Sequence, residues 1–410
     1  MPLLSRMPAS APRIPSPHAV DQTAMLRGAK SQIPSGPTGL GTSAARLWAS
    51  RSDGALGTDA ADGSSSAGEA NRAKRTATPG RASKGPKLYC PPAVRDDPAL
   101  GNEVNDLLMR WAQETGIYAG ELDVVRAADF GRLSMLVHPD TDDPDRLLAA
   151  AKCVLSEWAT DDHYCEGEPD GDAPISLGSR ISVAYAANDP AHLPLRYAPD
   201  LERVMRAEPV LVARRSSYEH LARYASSTQV ARLQHEDAAL FICYAQEASW
   251  RKANRLPPVW EYLVNRQRNN FVPLMALIDA VGGYELPSAE YSDPRVRRCT
   301  TMAGTAGQLV NDLYSMAKEN STPGLDLNLP TVIAAEDGCS RGVAFERSIL
   351  IHDELMHTFE AEAATLAATG SPALRRFLAG VWAWLGGNRE WHDGCPRYNS
   401  ATASAPSTVS

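Results

Sequence analysis

The chain of 410 residues is 43% hydrophobic, and its formal net charge at pH 7 is −8. This acidic balance argues against nucleic acid as a main partner, because a polyanion binds basic surfaces. The seven cysteines include no Cys-x-x-Cys pair, so they indicate neither a disulfide framework nor a zinc knuckle, and they favour a reducing cytoplasm. No apolar run is long enough for a signal peptide or a transmembrane helix, and we therefore predict no membrane association.

The two ends of the chain have the composition of disordered segments. Residues 1–88 consist mainly of Ala, Ser, Pro, Gly and Thr, without a periodic apolar face. Such a segment cannot bury enough apolar surface to offset the entropy of ordering its backbone. Residues 401–410, "ATASAPSTVS", have the same character. We predict a disordered extension over 1–88 and a disordered tail over 401–410.

Between these ends, over residues 89–400, the apolar residues recur with helical spacing. In the segment that follows Asp143, they lie four, three and four residues apart, at Leu147, Ala151, Val154 and Trp158. Alternating strand patterns and hairpin signals are absent, and Pro and Gly cluster between the helical segments. The pattern predicts a single all-α domain in which many helices surround one core.

The stretch "VNDLYSMAKE" places three polar side chains at four-residue spacing, at Asn311, Ser315 and Glu319. Residues so spaced share one face of a helix. Gly304 and Gly307 lie on the same face, and we expect them to leave space beside it. An amide oxygen, a hydroxyl and a carboxylate in a roomy stripe suit a hard cation such as Mg²⁺. A solvated helix face, or a stripe bonded to a neighbouring helix, is the alternative.

A second acidic cluster, "DDHYCEGE", follows the apolar stripe that ends at Trp158. Asp161 and Asp162 continue that stripe, although buried carboxylates are costly unless cations or donors meet them. We therefore expect this cluster and the Asn-Ser-Glu stripe to face each other and hold a metal and a diphosphate. Glu166 shares the face only if the helix has ended. His163 and Cys165 have no matching ligand pair elsewhere, which disfavours zinc.

Four sequence motifs resemble those of class I bacterial terpene cyclases and follow one another along the chain in the order found in that family. "DDHYCE" resembles their aspartate-rich motif, and "NDLYSMAKE" matches the metal motif (N/D)DxxSxxxE. "EYLVNRQRNNF" resembles the helix that carries the diphosphate-sensing arginine, here Arg266, and "NREWHDGCPRY" matches a C-terminal Asn-x-x-Trp and Arg-Tyr element. Two positions depart from the family: Cys165 replaces the last Asp of DDxxD, and Asn270 stands where many members have a Gly that shapes a helix break.

The resemblance implies an all-α cyclase fold and ionisation of an allylic diphosphate with three Mg²⁺ ions. It implies that Asp161 is the main metal ligand of the first motif, with Asp162 and Glu166 as further candidates. It also implies that Asn311, Ser315 and Glu319 are the metal ligands of the second motif. The residues expected to bind the diphosphate are Arg266, Lys318, Arg397 and Tyr398, with an exposed helix lysine as the alternative for Lys318. The aromatic side chains expected beside the carbocation are Trp158, Phe271 and Trp391, with core packing as their alternative.

Within this family, "VGGYELP", "LNLP" and "ELMHTFEA" resemble the branch that cyclises 2-methylgeranyl diphosphate to 2-methylisoborneol. That resemblance implies a lyase with this C11 substrate and an antiparallel homodimer. A cyclase that makes 2-methylenebornane or another mono- or sesquiterpene is the alternative. A prenyl diphosphate synthase is disfavoured, because it normally carries two Asp-rich motifs. A non-enzymatic helical interaction protein gives no reason for two acidic clusters on buried stripes.

Overall fold

The computed structural model describes residues 85–166, 177–319 and 325–395, all within one compact unit, Ala67–Ser410. Throughout these ranges every regular element is a helix, which confirms the all-α prediction. The helices are α1 Pro98–Thr115, α2 Leu122–Ala128, α3 Phe130–Val137, α4 Pro144–Asp161, a π-helical turn Asp162–Glu166, α5 Leu177–Tyr185, α6 Ala198–Ala207, α7 Pro209–Leu221, α8 Ser227–Lys252, α9 Val259–Arg266, α10 Val272–Met275, α11 Ile278–Val281, α12 Ser288–Tyr291, α13 Pro294–Glu319, α14 Leu329–Asp337, α15 Arg341–Thr369 and α16 Pro372–Gly394.

Several helices begin at a side chain that caps their first turn. Asp97 accepts hydrogen bonds from two backbone N–H groups of α1, and Asp143 accepts one from Asp145 at 2.9 Å at the start of α4. Ser226 and Gln229 form a reciprocal capping box at the start of α8. These caps satisfy N–H groups that have no partner inside the helix.

The core forms where the apolar stripes of these helices meet. On α4, Leu147, Ala151 and Val154 are buried as their spacing predicts, and Trp158 is half-buried. This helix packs against α1, α3 and α7, while α13 packs against α15 and α16. The two helices that carry the acidic motifs are thus central to the bundle.

The folded domain begins a few residues before the predicted boundary at residue 89. Leu88 is buried in the core, and the backbone N–H of Gly85 donates to the carboxylate of Asp393 on α16 at 3.1 Å. Tyr89 donates through its backbone N–H to Asp353 on α15. Residues 1–84 and 396–410 lie outside the described ranges, so their predicted disorder stays a prediction.

The cysteines of the described ranges are free thiols, at Cys90, Cys153, Cys243, Cys299, Cys339 and Cys395. This agrees with the absence of a disulfide framework that their spacing predicts. None of the helices in those ranges is long and apolar enough to cross a membrane.

Candidate active site

The first acidic motif lies where α4 changes from α- to π-helical geometry. Asp161 is the last residue of the α-helix, and Asp162 begins the π-helical turn, a feature often found at functional sites. Both aspartates are half-buried, and the hydroxyl of Tyr118 donates to Asp162 Oδ2 at 2.5 Å. The helix therefore continues through Glu166 instead of ending before it. The side chains of Cys165 and Glu166 lie outside the described part of the chain.

The second motif occupies the C-terminal half of α13. Asn311 and Ser315 are half-buried, whereas Asp312, between their stripe and the core, is 1% exposed. Lys318 and Glu319 lie in the last turn of this helix, and their side chains are not described. Arg397 and Tyr398 follow the last described residue. The structure thus places the predicted amide and hydroxyl ligands on one half-buried face.

A row of rings connects the two motifs. Trp158, one turn before Asp161, lies edge-on to Trp391 of α16 with ring centroids 6.3 Å apart. The next residue of α16, His392, has its Nε2 3.3 Å from the Nδ2 of Asn311. Ring contacts and one polar contact thus link Trp158, near the end of α4, to Asn311 on α13 by way of α16.

Trp391 supports this row from within the core. Its ring is almost completely buried, and its indole N–H donates to the backbone oxygen of Ala128 at 2.8 Å. Phe130 packs against both tryptophans, with centroid distances of 5.1 Å to Trp158 and 5.8 Å to Trp391. Sequence reasoning missed Phe130, because the eight-residue helix α3 carries no motif that marks it. Trp158 is the more accessible of the two tryptophans.

Arg266, the predicted diphosphate-binding arginine, is held in a buried polar network. Its Nη2 lies 3.1 Å from Asp312 Oδ1 and donates to the Leu327 backbone oxygen, and its Nε donates to the Tyr262 hydroxyl at 2.8 Å. Its Nη1 lies 3.6 Å from Glu247. Burial opposes the charge on Arg266, but the attraction of Asp312, Tyr262 and Glu247 outweighs it and raises the pKa of the guanidinium.

The helix that carries Arg266 is interrupted where the resemblance suggested a break. Helix α9 ends at Arg266 and α10 begins at Val272. The Asn270 side chain bonds both segments: its Nδ2 donates to the Arg266 backbone oxygen at 3.0 Å, and its Oδ1 accepts from the Val272 N–H at 2.8 Å. An asparagine amide can make both bonds because it has a donor and an acceptor. The Asn270 side chain therefore stabilises this helix break.

The prediction that Gly304 and Gly307 leave space beside the ligands is wrong. A Cβ atom at Gly304 would come within 2.5 Å of Val272 Cγ2, and one at Gly307 would meet Trp384 Cζ3 at 3.3 Å. The ring of Phe271 lies beside Gly307 and packs on Trp384 at 5.1 Å. The two glycines instead let α13 approach the helix break and α16 closely.

Two polar contacts, one turn apart, join α16 to the ligand face of α13. Asn388 Nδ2 donates to the Gly307 backbone oxygen at 3.1 Å, and His392 meets Asn311. The His392 ring is fully buried, and burial lowers the pKa of the imidazole to about 4 despite its bond to the Asn388 backbone oxygen. Sequence reasoning missed His392, although it stands within the quoted "NREWHDG" motif.

Comparison with known proteins identifies the family of this fold and site. Residues 152–358 match the family described as terpene synthase family 2, C-terminal metal binding. The 2-methylisoborneol synthase of Streptomyces ambofaciens is 38% identical over 370 residues, which are 89% of this chain and 80% of the relative. The chain belongs to the terpene synthase family. The 2-methylisoborneol synthase of Saccharopolyspora erythraea is 40% identical and covers 77% of this terpene synthase and 90% of its own length.

Solved structures place this terpene synthase in the same fold. The crystal structure of 2-methylisoborneol synthase from Streptomyces coelicolor A3(2) with Mg²⁺ and 2-fluoroneryl diphosphate aligns with a TM-score of 0.73 and 38% identity. It covers 80% of this chain and all of that one. A second structure of that enzyme, with Mg²⁺ and geranyl-S-thiolodiphosphate, aligns with a TM-score of 0.71. The prediction of a class I terpene cyclase is confirmed.

The donor set of this terpene synthase fits a magnesium site. The side chains of the two motifs offer carboxylate, amide and hydroxyl oxygens, which Mg²⁺ prefers, at Asp161, Asp162, Asn311 and Ser315. Where side chains are described, three or more His, Cys, Asp or Glu residues do not gather as a metal centre. The side chain of Glu319, the remaining predicted ligand of the second motif, is outside the described part of the chain.

Proposed function

We propose that this terpene synthase cyclises 2-methylgeranyl diphosphate to 2-methylisoborneol and releases diphosphate. The observation that carries the proposal is the likeness to the Streptomyces coelicolor enzyme, whose structure holds Mg²⁺ and a prenyl diphosphate analogue and which shares 38% identity with this chain. The curated relatives at 37–40% identity all bear the name 2-methylisoborneol synthase. The sequence stretches that resemble the branch forming 2-methylisoborneol also favour 2-methylgeranyl diphosphate as the substrate.

The residues of the two motifs would hold three Mg²⁺ ions. We assign one ion to Asp161, with Asp162 and Glu166 as further candidates, and another to Asn311, Ser315 and Glu319. When bound, the ions neutralise the diphosphate leaving group and so lower the barrier to breaking its carbon–oxygen bond. The half-buried position of the described ligands favours this role, because electrostatic interactions strengthen where water is scarce.

Arg266, Lys318, Arg397 and Tyr398 would bind the diphosphate oxygens through charge-assisted hydrogen bonds. For Arg266 the available donor is Nη1, which makes an ion pair at 3.6 Å with Glu247 but no hydrogen bond within the described residues. The other guanidinium nitrogens are held by Tyr262, Leu327 and Asp312. This anchoring would aim one edge of the arginine at the anion.

The aromatic side chains of the site would control the conformation of the carbocation. Trp158 and Phe271 are half-buried, so each has a face that a substrate can reach, and aromatic faces stabilise nearby positive charge. Trp391 is buried behind Trp158 and would support it. We propose that ring closure through bornyl-type cations takes place beside these aromatic faces. Capture of the last cation by water yields the tertiary alcohol, whereas loss of a proton yields 2-methylenebornane.

Incubation of the purified protein and Mg²⁺ with three diphosphates tests the proposal. Geranyl, 2-methylgeranyl and farnesyl diphosphate are supplied separately, and the volatile products are analysed by mass spectrometry. We expect 2-methylisoborneol from the C11 substrate. Geranyl diphosphate lacks one methyl group, which is worth about 1–3 kcal/mol in an apolar pocket, so it should react about 10–200-fold less efficiently. The Asn311→Ala protein, prepared in the same way, is the blank.

The alternative products have distinct signatures in this assay. Farnesyl diphosphate should give little product, because its extra isoprene unit exceeds a C11 cavity. Efficient cyclisation of farnesyl diphosphate with little turnover of the C11 substrate would contradict the substrate assignment and favour a sesquiterpene cyclase. More distant relatives of 26–27% identity are named as farnesyl diphosphate cyclising enzymes, which makes this arm informative.

A cytoplasmic location and an antiparallel homodimer stay predictions.

A further inference from the structure

The amide of Asn311 can point either of two atoms at a cation, and only one of them binds it. A carboxamide has an oxygen that coordinates Mg²⁺ and an NH₂ group of similar size that does not. A surrounding group must therefore decide which atom faces the metal. We propose that His392 is a positioning residue that turns the Asn311 oxygen towards the metal by accepting a hydrogen bond from its NH₂ group. The inference rests on the proposed function, because it assumes that Asn311 is a ligand.

The hydrogen bonds of His392 determine which of its nitrogens can accept. Nδ1 lies 2.9 Å from the backbone oxygen of Asn388, one helical turn earlier on α16. A carbonyl oxygen only accepts, so Nδ1 carries the hydrogen and donates it. In a neutral imidazole the other nitrogen, Nε2, then carries a lone pair and no hydrogen. Nε2 lies 3.3 Å from Asn311 Nδ2 and accepts from it.

A second neighbour agrees with this orientation of the amide. The Nε2 of Gln308, one turn before Asn311, lies 3.4 Å from Asn311 Oδ1 and donates to it. Gln308 carries an amide of its own and could adapt to either orientation, whereas the buried histidine cannot. Of these two neighbours, His392 is thus the one that fixes the orientation of the amide. An amide oxygen has two lone pairs, so Asn311 Oδ1 can bind a cation as well as accept from Gln308.

The packing of His392 holds its ring in place. The ring is fully buried, lies edge-on to Trp391 at 4.7 Å and is tilted against Tyr314 at 5.6 Å. Asn388 holds α16 to α13 one turn away through the Gly307 backbone oxygen. A hydrogen-bond partner can fix the orientation of a metal ligand only when the partner's own side chain is held in place. His392 meets this condition.

Testing the replacement of His392 in both the parent protein and an Asn311→Asp variant distinguishes a positioning role from simple helix packing. The full-length protein is melted at fixed inorganic diphosphate over a series of Mg²⁺ concentrations, and the Mg²⁺ concentration that gives half of the maximal thermal shift is recorded. We expect His392→Phe, which keeps a ring but cannot accept, to raise this midpoint about 10–100-fold, the usual effect of removing a partner of a metal ligand. In an Asn311→Asp background, the same replacement should change it less than about threefold, because either carboxylate oxygen can bind the metal.

Asn388→Ala is the matched control. It removes a different hydrogen bond between α16 and α13, the one to the Gly307 backbone oxygen, and leaves the Asn311 amide untouched, so it should lower the melting temperature without moving the Mg²⁺ midpoint. His392→Gln should stay within about threefold of the parent, because its side-chain oxygen can accept from Asn311. If the phenylalanine protein does not melt cooperatively, the glutamine protein alone decides: a midpoint raised about tenfold or more overturns the proposal.

The outcomes distinguish a failure of this inference from a failure of the proposed function. If the parent protein is not stabilised by Mg²⁺ and diphosphate, the proposed function fails and the inference with it. If the parent is stabilised but His392→Phe has an unchanged midpoint, His392 only packs α16 against α13 and the inference alone fails. The same conclusion follows if His392→Phe raises the midpoint equally in the parent and in the Asn311→Asp background.

Discussion

Arg266 and Asp312 form a buried ion pair, with the arginine Nη2 3.1 Å from the aspartate Oδ1. The pair joins α9, which carries the proposed diphosphate-binding arginine, to α13, where Asn311 is the preceding residue. Asp312 also accepts hydrogen bonds from the Tyr262 hydroxyl and from the backbone N–H of Leu329. Burial raises the pKa of Asp312, although Arg266 and these hydrogen bonds pull in the other direction. The buried pair and its hydrogen bonds thus hold α9 and α13 together as one unit.

Replacing Asp312 with Asn should strongly destabilise the protein. Among the described residues, the change leaves the Arg266 charge in the core with the more distant Glu247 as its remaining counter-ion, and breaking a buried pair costs about 3–5 kcal/mol. Urea unfolding followed by helical circular dichroism measures this cost. The control is Asp200→Asn, which removes an exposed pair with Arg203 and should leave the urea midpoint unchanged. Equal midpoints for the two variants would mean that the buried pair is dispensable.

Asn311→Ala and Ser315→Ala should abolish most activity while the protein stays folded. Both side chains are half-buried and contribute little packing, but each is a proposed Mg²⁺ ligand. We expect turnover of 2-methylgeranyl diphosphate to fall about 10²–10³-fold, the size of loss typical for one electrostatic stabiliser. Glu346→Ala, at an exposed position of α15, is the control and should retain parental turnover. Near-normal turnover of both ligand variants at saturating Mg²⁺ would remove the metal assignment.

Alanine at Gly304 and at Gly342 should have opposite effects. A Cβ atom at Gly304 would be 2.5 Å from Val272 Cγ2 and 3.1 Å from the Asn270 oxygen, so the helix break would have to shift. Such overpacking costs about 1–3 kcal/mol. At Gly342 on α15 the nearest atom, the Ser340 hydroxyl, is 4.0 Å away, and alanine should be neutral or stabilising by up to about 1 kcal/mol. Thermal melts compare the two, and a stabilised Gly304→Ala protein would show that the break is not tightly packed.

Deletion of residues 1–84 should preserve activity and stability, whereas deletion of residues 1–90 should not. The shorter deletion removes only the segment predicted to be disordered. The longer one also removes Leu88 from the core and Tyr89 from its bonds to Asp353 and Glu360. Loss of one buried leucine side chain alone costs about 1.5–3 kcal/mol. Melting temperature and turnover of both truncated proteins test this, and an inactive but folded 85–410 protein would assign a catalytic role to the extension.

Buried His138 should make the protein less stable in acid. Burial, with Arg95 nearby, lowers the pKa of His138 from the usual 6.5 to about 3. Between these values the unfolded chain binds a proton that the folded chain excludes, so this stabilisation is complete above about pH 6.5 and is lost as the pH falls towards 3. His138→Gln should reduce the pH slope of the unfolding free energy by up to about 1.4 kcal/mol per pH unit between pH 6 and 4.

Urea unfolding at several pH values measures that slope. The control is the exposed residue His192, whose replacement by Gln should leave the slope unchanged. Identical slopes for the His138→Gln, His192→Gln and parent proteins would show that His138 is already protonated in the folded state.

Local pattern was enough to predict the all-helical character of the domain and the two polar motifs. The apolar spacing around Leu147 predicted which face of α4 is buried, because helical geometry alone places residues three and four apart on one side. The Asp143 cap at the start of that helix is local as well, since a cap bonds to its own first turn. The four-residue spacing of Asn311 and Ser315 likewise placed them on one face. These features depend on neighbours within a few residues.

Only the tertiary structure determines which residues of other helices contact each of these faces. His392 lies 81 residues after the Asn311 that it contacts, and no spacing rule connects the two. The space expected beside Gly304 is filled by Val272, from a segment whose approach the pattern of α13 does not encode. Burial, the direction of a hydrogen bond and the partner of a charge depend on which helices pack together. That packing depends on contacts between distant parts of the chain, and local sequence does not specify them.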